Sequence, residues 1–448
     1  MEGRSTTLRS PSCEDTASND RELAHFKMAR SSCTASCSAF TALLLISSAR
    51  ALAPPQPAPY HVHVGAGKLG LSLVVPAVAA RGRDFAVLDT PKDPAWAEML
   101  AKGRQDIDVR VNDAHVTTLN FHDGLSAPDG APRLIVTDDV QALGATVARA
   151  TTVSCSLGPH LNAVMTHLFE CADNYASEPK TLYCCENDHS AVVQLRDDLG
   201  DRVKVVDCMV DRVSTQRVVD AETGTISMSC EDWGGVIASL DPRVNEVQDP
   251  PFGGTYGAEV HAPLTMAAAA FLSDRKLQLV NGMHTTLAFA TMRLHGADEP
   301  GSLALGRPSE LDGVELRRWS LARCAGLIAA HGVPAVMDAF DASSEAEAFA
   351  ALEAYARQAL QRFDDAPDDT VARVLGGGVA LRWRGRLAAT EGELATALSG
   401  DAAAARFLTT YADAADVTRA VSGLVRATRP ACELDDARRS VVQEAVAA

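Results

Sequence analysis

The sequence predicts an α/β chain, an N-terminal doubly wound sheet followed by a mainly α-helical C-terminal domain. Three observations carry this. A β-branched run enters a glycine-rich turn near residue 65, short apolar strands then alternate with helical segments as far as Cys208, and from about Glu259 the texture is helical to the end. Strands alternating with helices imply a parallel sheet covered on both faces. The chain has 448 residues, 47% hydrophobic and 22% charged, which is globular composition with room for two or three cores. The expected division is a leader over 1–53, a sheet domain over 54–240 and a helical domain over 241–448.

Residues 1–53 read as a targeting or disordered segment. Met28-Ala29-Arg30, the apolar stretch Ala42–Ile46 and Ala49-Arg50-Ala51 have the layout of a signal or transit peptide spanning Met28 to Ala51. The eleven cysteines form no CxxC pair and several lie in apolar segments, so they read as reduced thiols and not as a zinc site. A cytoplasmic or plastid location follows from that reading.

Tyr60–Val64 is the first strand. It enters Gly65-Ala66-Gly67-Lys68-Leu69-Gly70, and a helix follows over Leu71–Ala80. In G-x-G-x-x-G the first glycine permits the tight turn, the second lets a pyrophosphate approach the backbone, and the third lets helix and strand pack closely. Strand Asp84–Asp89 ends in an acid roughly 20 residues past the turn, where a carboxylate bonds a ribose 2′-OH and repels a 2′-phosphate. These features predict a Rossmann-type domain that binds NAD rather than NADP. Pro76 is expected to cost the first helix a hydrogen bond or to kink it.

Further strands are expected at Arg133–Thr137, Thr151–Cys155, Thr181–Cys185 and Val203–Cys208, with a helix over Asn162–Ala172. Ligands of such sheets bind beyond the carboxyl ends of the strands. This directs attention to Ser156, Gly158 and Pro159, to Asn187 and to Asp211. Helices are then expected over His261–Leu272, Lys276–Leu294, 316–331, 344–363, 388–398, 402–409 and 434–447.

Lys276, Asn281 and His284 interrupt an apolar segment. At roughly 100° per residue they point near 0°, 140° and 80° on an α-helix, within one sector. Polar groups on an apolar segment need partners or a task. On spacing alone they also fit a solvated helix start, a break and a core histidine.

The net charge of −17 argues against nucleic acid and anionic membrane surfaces as partners. No apolar run of roughly 18 residues marks a membrane span. An anionic ligand then requires local cations, and Arg373, Arg382 and Arg384 are the candidates for a phosphate clamp, though the same arginines fit a solvated basic face.

The ordered set His63–Gly70, Ser154–Pro159, Cys185-Glu186-Asn187, Met209–Val213, Glu231-Asp232-Trp233 and Lys-x4-Asn-x2-His at Lys276 resembles the polyol-specific long-chain dehydrogenase/reductase (mannitol dehydrogenase) family. The family includes mannitol-1-phosphate 5-dehydrogenase, mannitol 2-dehydrogenase and the hexuronate reductases. The match is clear over about residues 60–300. It implies a metal-free NAD(H)-dependent oxidoreductase with Lys276 as general acid/base, Asn187 and Asn281 holding the reacting oxygen, and His284 and Asp211 binding the substrate. The phosphorylated branch implies interconversion of fructose 6-phosphate and mannitol 1-phosphate. The alternatives are an unphosphorylated polyol or hexuronate, or a dinucleotide-binding protein without catalysis. Leu71 stands where the family has an arginine. The expected partner is a small sugar phosphate or polyol, and the expected assembly a monomer or weak dimer.

Overall fold

The computed structural model describes residues 60–122, 132–172, 180–254, 258–365 and 369–447. The leader expected over 1–53 lies outside them. Residues 57–448 cluster as one compact unit.

Among the described residues twelve strands form one sheet. They are β1 (Tyr60–Val64), β2 (Asp84–Asp89), β3 (Asp106–Val111), β4 (Ala114–His122), β5 (Arg133–Val136), β6 (Thr152–Cys155), β7 (Lys180–Cys185), β8 (Val203–Asp211), β9 (Ser214–Asp220), β10 (Thr225–Cys230), β11 (Val236–Ser239) and β12 (Glu259–His261). The central six run β5-β2-β1-β6-β7-β8, all parallel. Numbered in chain order these are 3-2-1-4-5-6, the doubly wound order of dinucleotide folds. The order reverses between β1 and β6. Strands β4, β3, β10 and β9 extend one edge, and β11 and β12 the other.

Helices α1 (Val75–Ala80) and α2 (Pro94–Ala101) belong to the β1–β3 crossovers, and α3 (Val140–Arg149), α4 (Leu161–Ala172) and α5 (His189–Leu199) to the later ones. Each of the last three connects parallel strands, as a parallel sheet requires. Separate apolar clusters pack against the two faces. Leu73, Val87, Trp96 and Tyr183 belong to one, and Val62, Val153, Leu182 and Val205 to the other.

The first helix is not a plain α-helix. It opens with a π-turn over Gly70–Val74 before α1. Pro76 lacks an N–H, so the carbonyl of Ser72 loses its ordinary partner four residues on. The Arg212 guanidinium takes that carbonyl at 2.7 Å. A cation from beyond β8 thus repairs the defect that Pro76 creates.

After β11 comes the short α6 (Pro242–Asn245). The helix expected from His261 starts five residues late. His261 ends β12, and Thr265 caps α7 (Met266–Arg275) by accepting the Ala268 N–H at 3.2 Å. A second π-turn, Lys276–Asn281, joins α7 to α8 (Gly282–Leu294). The rest comprises α9 (Gly313–Ala339), α10 (Glu345–Asp365), α11 (Val371–Val374), α12 (Val379–Arg382), α13 (Ala389–Gly400), α14 (Ala402–Tyr411) and α15 (Ala414–Ala447), with a third π-turn at Trp383–Ala388.

Helix α9 has the length and hydropathy to cross a membrane, a feature absent from the sequence reading. Most of it is buried in the helical core, where Trp319, Leu327 and Ile328 are enclosed. It breaks at Gly332 (φ 77°), just before Pro334.

Candidate active site

The site lies beyond the carboxyl ends of the strands, where the sheet order reverses. Gly65 adopts φ +111°, a conformation that an L side chain rarely takes, and its N–H donates to Leu88 O at 2.9 Å. A Cβ at Gly70 would strike the Gly65 carbonyl, Ser156 Oγ and His63 Nε2, so the third glycine is set by packing. A Cβ at Gly67 would meet no atom within 4 Å, which leaves open space against the backbone. Lys68 and Arg212 are the cations beside the turn, and Arg212 Nε is buried without a partner among the described residues. This cradle fits the pyrophosphate of a dinucleotide. Leu71 is fully buried, so its side chain packs in the core and offers no cation to the cradle.

Asp89 ends β2 as expected. Its carboxylate accepts from Thr90 N–H at 2.9 Å and Trp96 Nε1–H at 3.2 Å. Burial pushes its pKa up, and those two donors and the nearby Arg217 oppose the rise.

Residues Cys185-Glu186-Asn187 do two different jobs. Glu186 Oε1 and Oε2 accept the N–H groups of Leu157 and Gly158, the latter at 2.9 Å. The carboxylate therefore occupies the Gly158 amide, and the Gly158-Pro159 turn, to which the strand end directed attention, does not have that donor free for a ligand. Asn187 Oδ1 accepts from Lys276 Nζ at 2.7 Å. An ammonium has no acceptor to offer, so the oxygen must face it, and the Asn187 NH2 donors remain for a ligand.

Lys276, Asn187, Asn281, His284 and Asp211 line one cleft of about 650 Å³, together with Lys68, Leu69 and Arg373. The expected α-helical geometry at Lys276 is replaced by the π-turn, in which i→i+5 bonding makes five residues roughly one turn. Asn281 thereby stands about one turn above Lys276 instead of well to its side. The Asn281 carbonyl is met by Arg386 Nη1–H at 2.7 Å. Burial lowers the Lys276 pKa. Asp211 opposes this, and Arg362 and Arg386 add to it.

Asp211 is nearly inaccessible and is held by Arg362 at 2.9 and 3.0 Å and by Tyr355 O–H at 3.2 Å. Arg362 also donates to Glu231 at 2.6 and 2.8 Å and lies 4.1 Å from the Trp233 ring centroid. Glu231 and Trp233 thus grip one guanidinium. Burial disfavours the Asp211 carboxylate, but Arg362 outweighs it and the pKa falls below 3.8. His284 Nε2 lies 3.0 Å from Asp369 Oδ2, and its ring stacks on Phe363 at 5.2 Å. Burial lowers the His284 pKa from 6.5, against the pull of Asp369.

The expected arginine clamp is not assembled. Arg373 lines the cleft but pairs with Asp369. Arg384 pairs instead with Asp436 on α15, and Arg382 packs against Gly377. Neither lines the cleft. Arg362, Tyr355 and Phe363 were not read from sequence as site residues. The one signal for Arg362 was that two buried acids, Asp211 and Glu231, require a cation. Among the described residues no group of three His, Cys, Asp or Glu gathers as a metal site.

No protein-family model matches the chain, and no curated protein does. Among solved structures, Pseudomonas fluorescens mannitol 2-dehydrogenase, in a ternary complex with NAD and D-mannitol, is 13% identical. It covers 87% of this chain and 94% of its own, at a TM-score of 0.43. An octopine dehydrogenase with NADH and pyruvate is 14% identical over 80% and 89%, at 0.43. A PanE/ApbA family ketopantoate reductase from Ralstonia eutropha is 11% identical over 84% and 99%, at 0.38. Likeness this low assigns no activity to the chain.

Proposed function

We propose that the chain is an NAD-dependent oxidoreductase that interconverts a ketose and its polyol by hydride transfer, with fructose 6-phosphate and mannitol 1-phosphate as the pair. The observation that carries this is a buried lysine, Lys276, joined to Asn187 and placed in one cleft with Asn281, His284 and the dinucleotide turn.

The Gly65–Gly70 turn, Lys68 and Arg212 would hold the pyrophosphate, and Asp89 the adenine-side ribose, which favours NAD over NADP. When bound, the nicotinamide supplies or accepts the hydride. The chain itself handles the proton and the geometry. In reduction Lys276 Nζ gives its proton to the carbonyl oxygen as that oxygen becomes a hydroxyl, and in oxidation it takes the proton back. Its burial favours the neutral amine and so brings its pKa toward neutral pH. The free amide donors of Asn187 and Asn281 would meet the charge that grows on the oxygen. Neutral His284 gives its Nε2 proton to Asp369, and Nδ1 is left to accept a substrate hydroxyl.

The phosphorylated reading is supported by the cleft's charge. Besides Lys276, Lys68, Arg212, Arg307 and Arg373 line it against Asp211 and Asp369. This local excess answers the overall charge of −17. A second reading, an unphosphorylated polyol or hexuronate, is favoured by the engagement of Arg373 with Asp369 and of Arg384 with Asp436. The test is NADH oxidation by the full chain with fructose 6-phosphate, fructose and a hexuronate side by side. Fastest turnover of fructose 6-phosphate is expected. Preference for either other substrate selects the second reading, and no turnover of any sugar rejects both.

A further inference from the structure

Strands β1 and β6 flank the point where the sheet reverses, and a polar seam runs between them. His61 Nδ1 lies 2.8 Å from Thr152 Oγ1, and His61 Nε2 lies 2.8 Å from Ser154 Oγ. Ser154 Oγ lies 2.8 Å from His63 Nδ1, and His63 Nε2 lies 3.2 Å from Ser156 Oγ. The period of two in a strand puts residues 61 and 63 on one face, opposite 152 and 154. His61, His63 and Ser154 have no exposure, and Thr152 has almost none. A valine in place of either histidine would satisfy the sheet at lower cost, so the chain calls for an explanation.

Burial lowers the His63 pKa to about 3 and His61 well below its ordinary value. Both rings are neutral at pH 7, and each has one donor nitrogen and one acceptor. Ser154, enclosed between the rings, gives its single proton to one and accepts from the other. Along the side-chain seam the direction of donation therefore runs one way, while the backbone carbonyls of Thr152 and Gly65 are further acceptors for the His61 and His63 rings. Either Thr152 donates inward and both rings carry Nε2–H, or Ser156 donates inward and both carry Nδ1–H. In the first polarity the Ser156 hydroxyl receives from His63 and keeps its own proton for a group beyond the chain.

Ser156 stands at the mouth of the cofactor cradle. A Cβ at Gly65 would meet its carbonyl at 2.8 Å, and one at Gly70 would meet its Oγ at 2.7 Å. We propose that the Ser156 hydroxyl donates to an anionic oxygen of the dinucleotide pyrophosphate. Thr152, His61, Ser154 and His63 act as positioning residues that hold this proton outward. This is a donor fixed in advance without added charge, the kind of preorganised dipole that loses little on binding.

The inference rests on the dinucleotide reading above. Two measurements on the full chain test it. The first is 15N NMR of the histidine rings with saturating NADH, the two signals assigned by their loss in His61→Gln and His63→Gln. Protonated Nε2 and bare Nδ1 are expected at both rings. Protonated Nδ1 at His63 overturns the relay. The second is NADH affinity by fluorescence, where Ser156→Ala is expected to bind about tenfold more weakly. Equal affinity of Ser156→Ala and wild type overturns the proposal alone. Failure of wild type to bind NADH overturns it together with the dinucleotide reading.

Discussion

Arg362→Met strands two buried carboxylates. Arg362 gives two hydrogen bonds to Asp211 and two to Glu231 at 2.6–3.0 Å, and all three side chains are at most 6% exposed. Removing one partner of such a group costs about 3–5 kcal/mol, because the remaining charges keep their desolvation penalty without compensation. An exposed pair such as Arg384–Asp436 is worth about 0–1 kcal/mol by comparison. At about 2.1 cal/mol/K per residue, a unit of this size has an unfolding entropy near 0.8 kcal/mol/K, so Tm should fall about 4–6 °C. The triple variant Asp211→Asn, Glu231→Gln, Arg362→Met leaves no stranded charge and should recover more than half of the loss. Thermal unfolding followed by circular dichroism reads both. The pH dependence has a definite sign. The Asp211 carboxyl is depressed in the folded state, so its contribution is present above 3.8 and lost as pH falls through the lower folded value. In the single variant the stranded Asp211 carboxylate protonates at higher pH, so the deficit is largest near pH 7 and narrows toward pH 4. A single variant that melts within about one degree of wild type at pH 7 would refute the reasoning.

Gly70→Ala forces a Cβ against the Gly65 carbonyl, Ser156 and His63, so it should lower Tm and weaken NADH binding. Gly67→Ala, with no atom near its Cβ, should keep its Tm and lose NADH affinity all the same. A fluorescence titration and a melt of each variant check this pair. Asp89→Ala removes the carboxylate at the tip of β2 and should shift the NADH to NADPH affinity ratio about tenfold toward NADPH. Arg373→Ala should raise KM for fructose 6-phosphate more than for fructose. Arg384→Ala, tied to Asp436 outside the cleft, should change neither value, and steady-state kinetics with both sugars separates the two.

The strands that carry the site were legible because their signals are local. The Tyr60–Val64 run, the glycine spacing and the acid at Asp89 each act within a few residues, and β1 and β2 have the expected bounds. Strands β9 to β12 were not legible. β9 alternates half-buried and exposed residues at the sheet edge, and its Ser, Thr, Gln and Arg read as a loop. Lys276, Asn281 and His284 were identifiable as residues, but a π-turn leaves no mark in the sequence that separates it from an α-helix. Arg362 sits on an amphipathic helix like many others, and its partners are 131 and 151 residues away. Arg384 shows the converse case. Spacing placed it in a cluster of arginines, but its direction was set by Asp436, 52 residues on. The cost expected at Pro76 was real, but the group that meets it, Arg212, lies 140 residues from the carbonyl it bonds.

The central claim is that Lys276 carries the proton in hydride transfer. The direct measurement is kcat for NADH oxidation by wild type and Lys276→Met, with the sugar that wild type turns over fastest and with NADH affinity measured on the same preparations. Loss of a positioned general acid predicts a fall of about 10²–10⁴-fold in kcat, with NADH affinity within about twofold of wild type. A Lys276→Met protein that binds NADH normally and turns over at the wild-type rate would contradict the account.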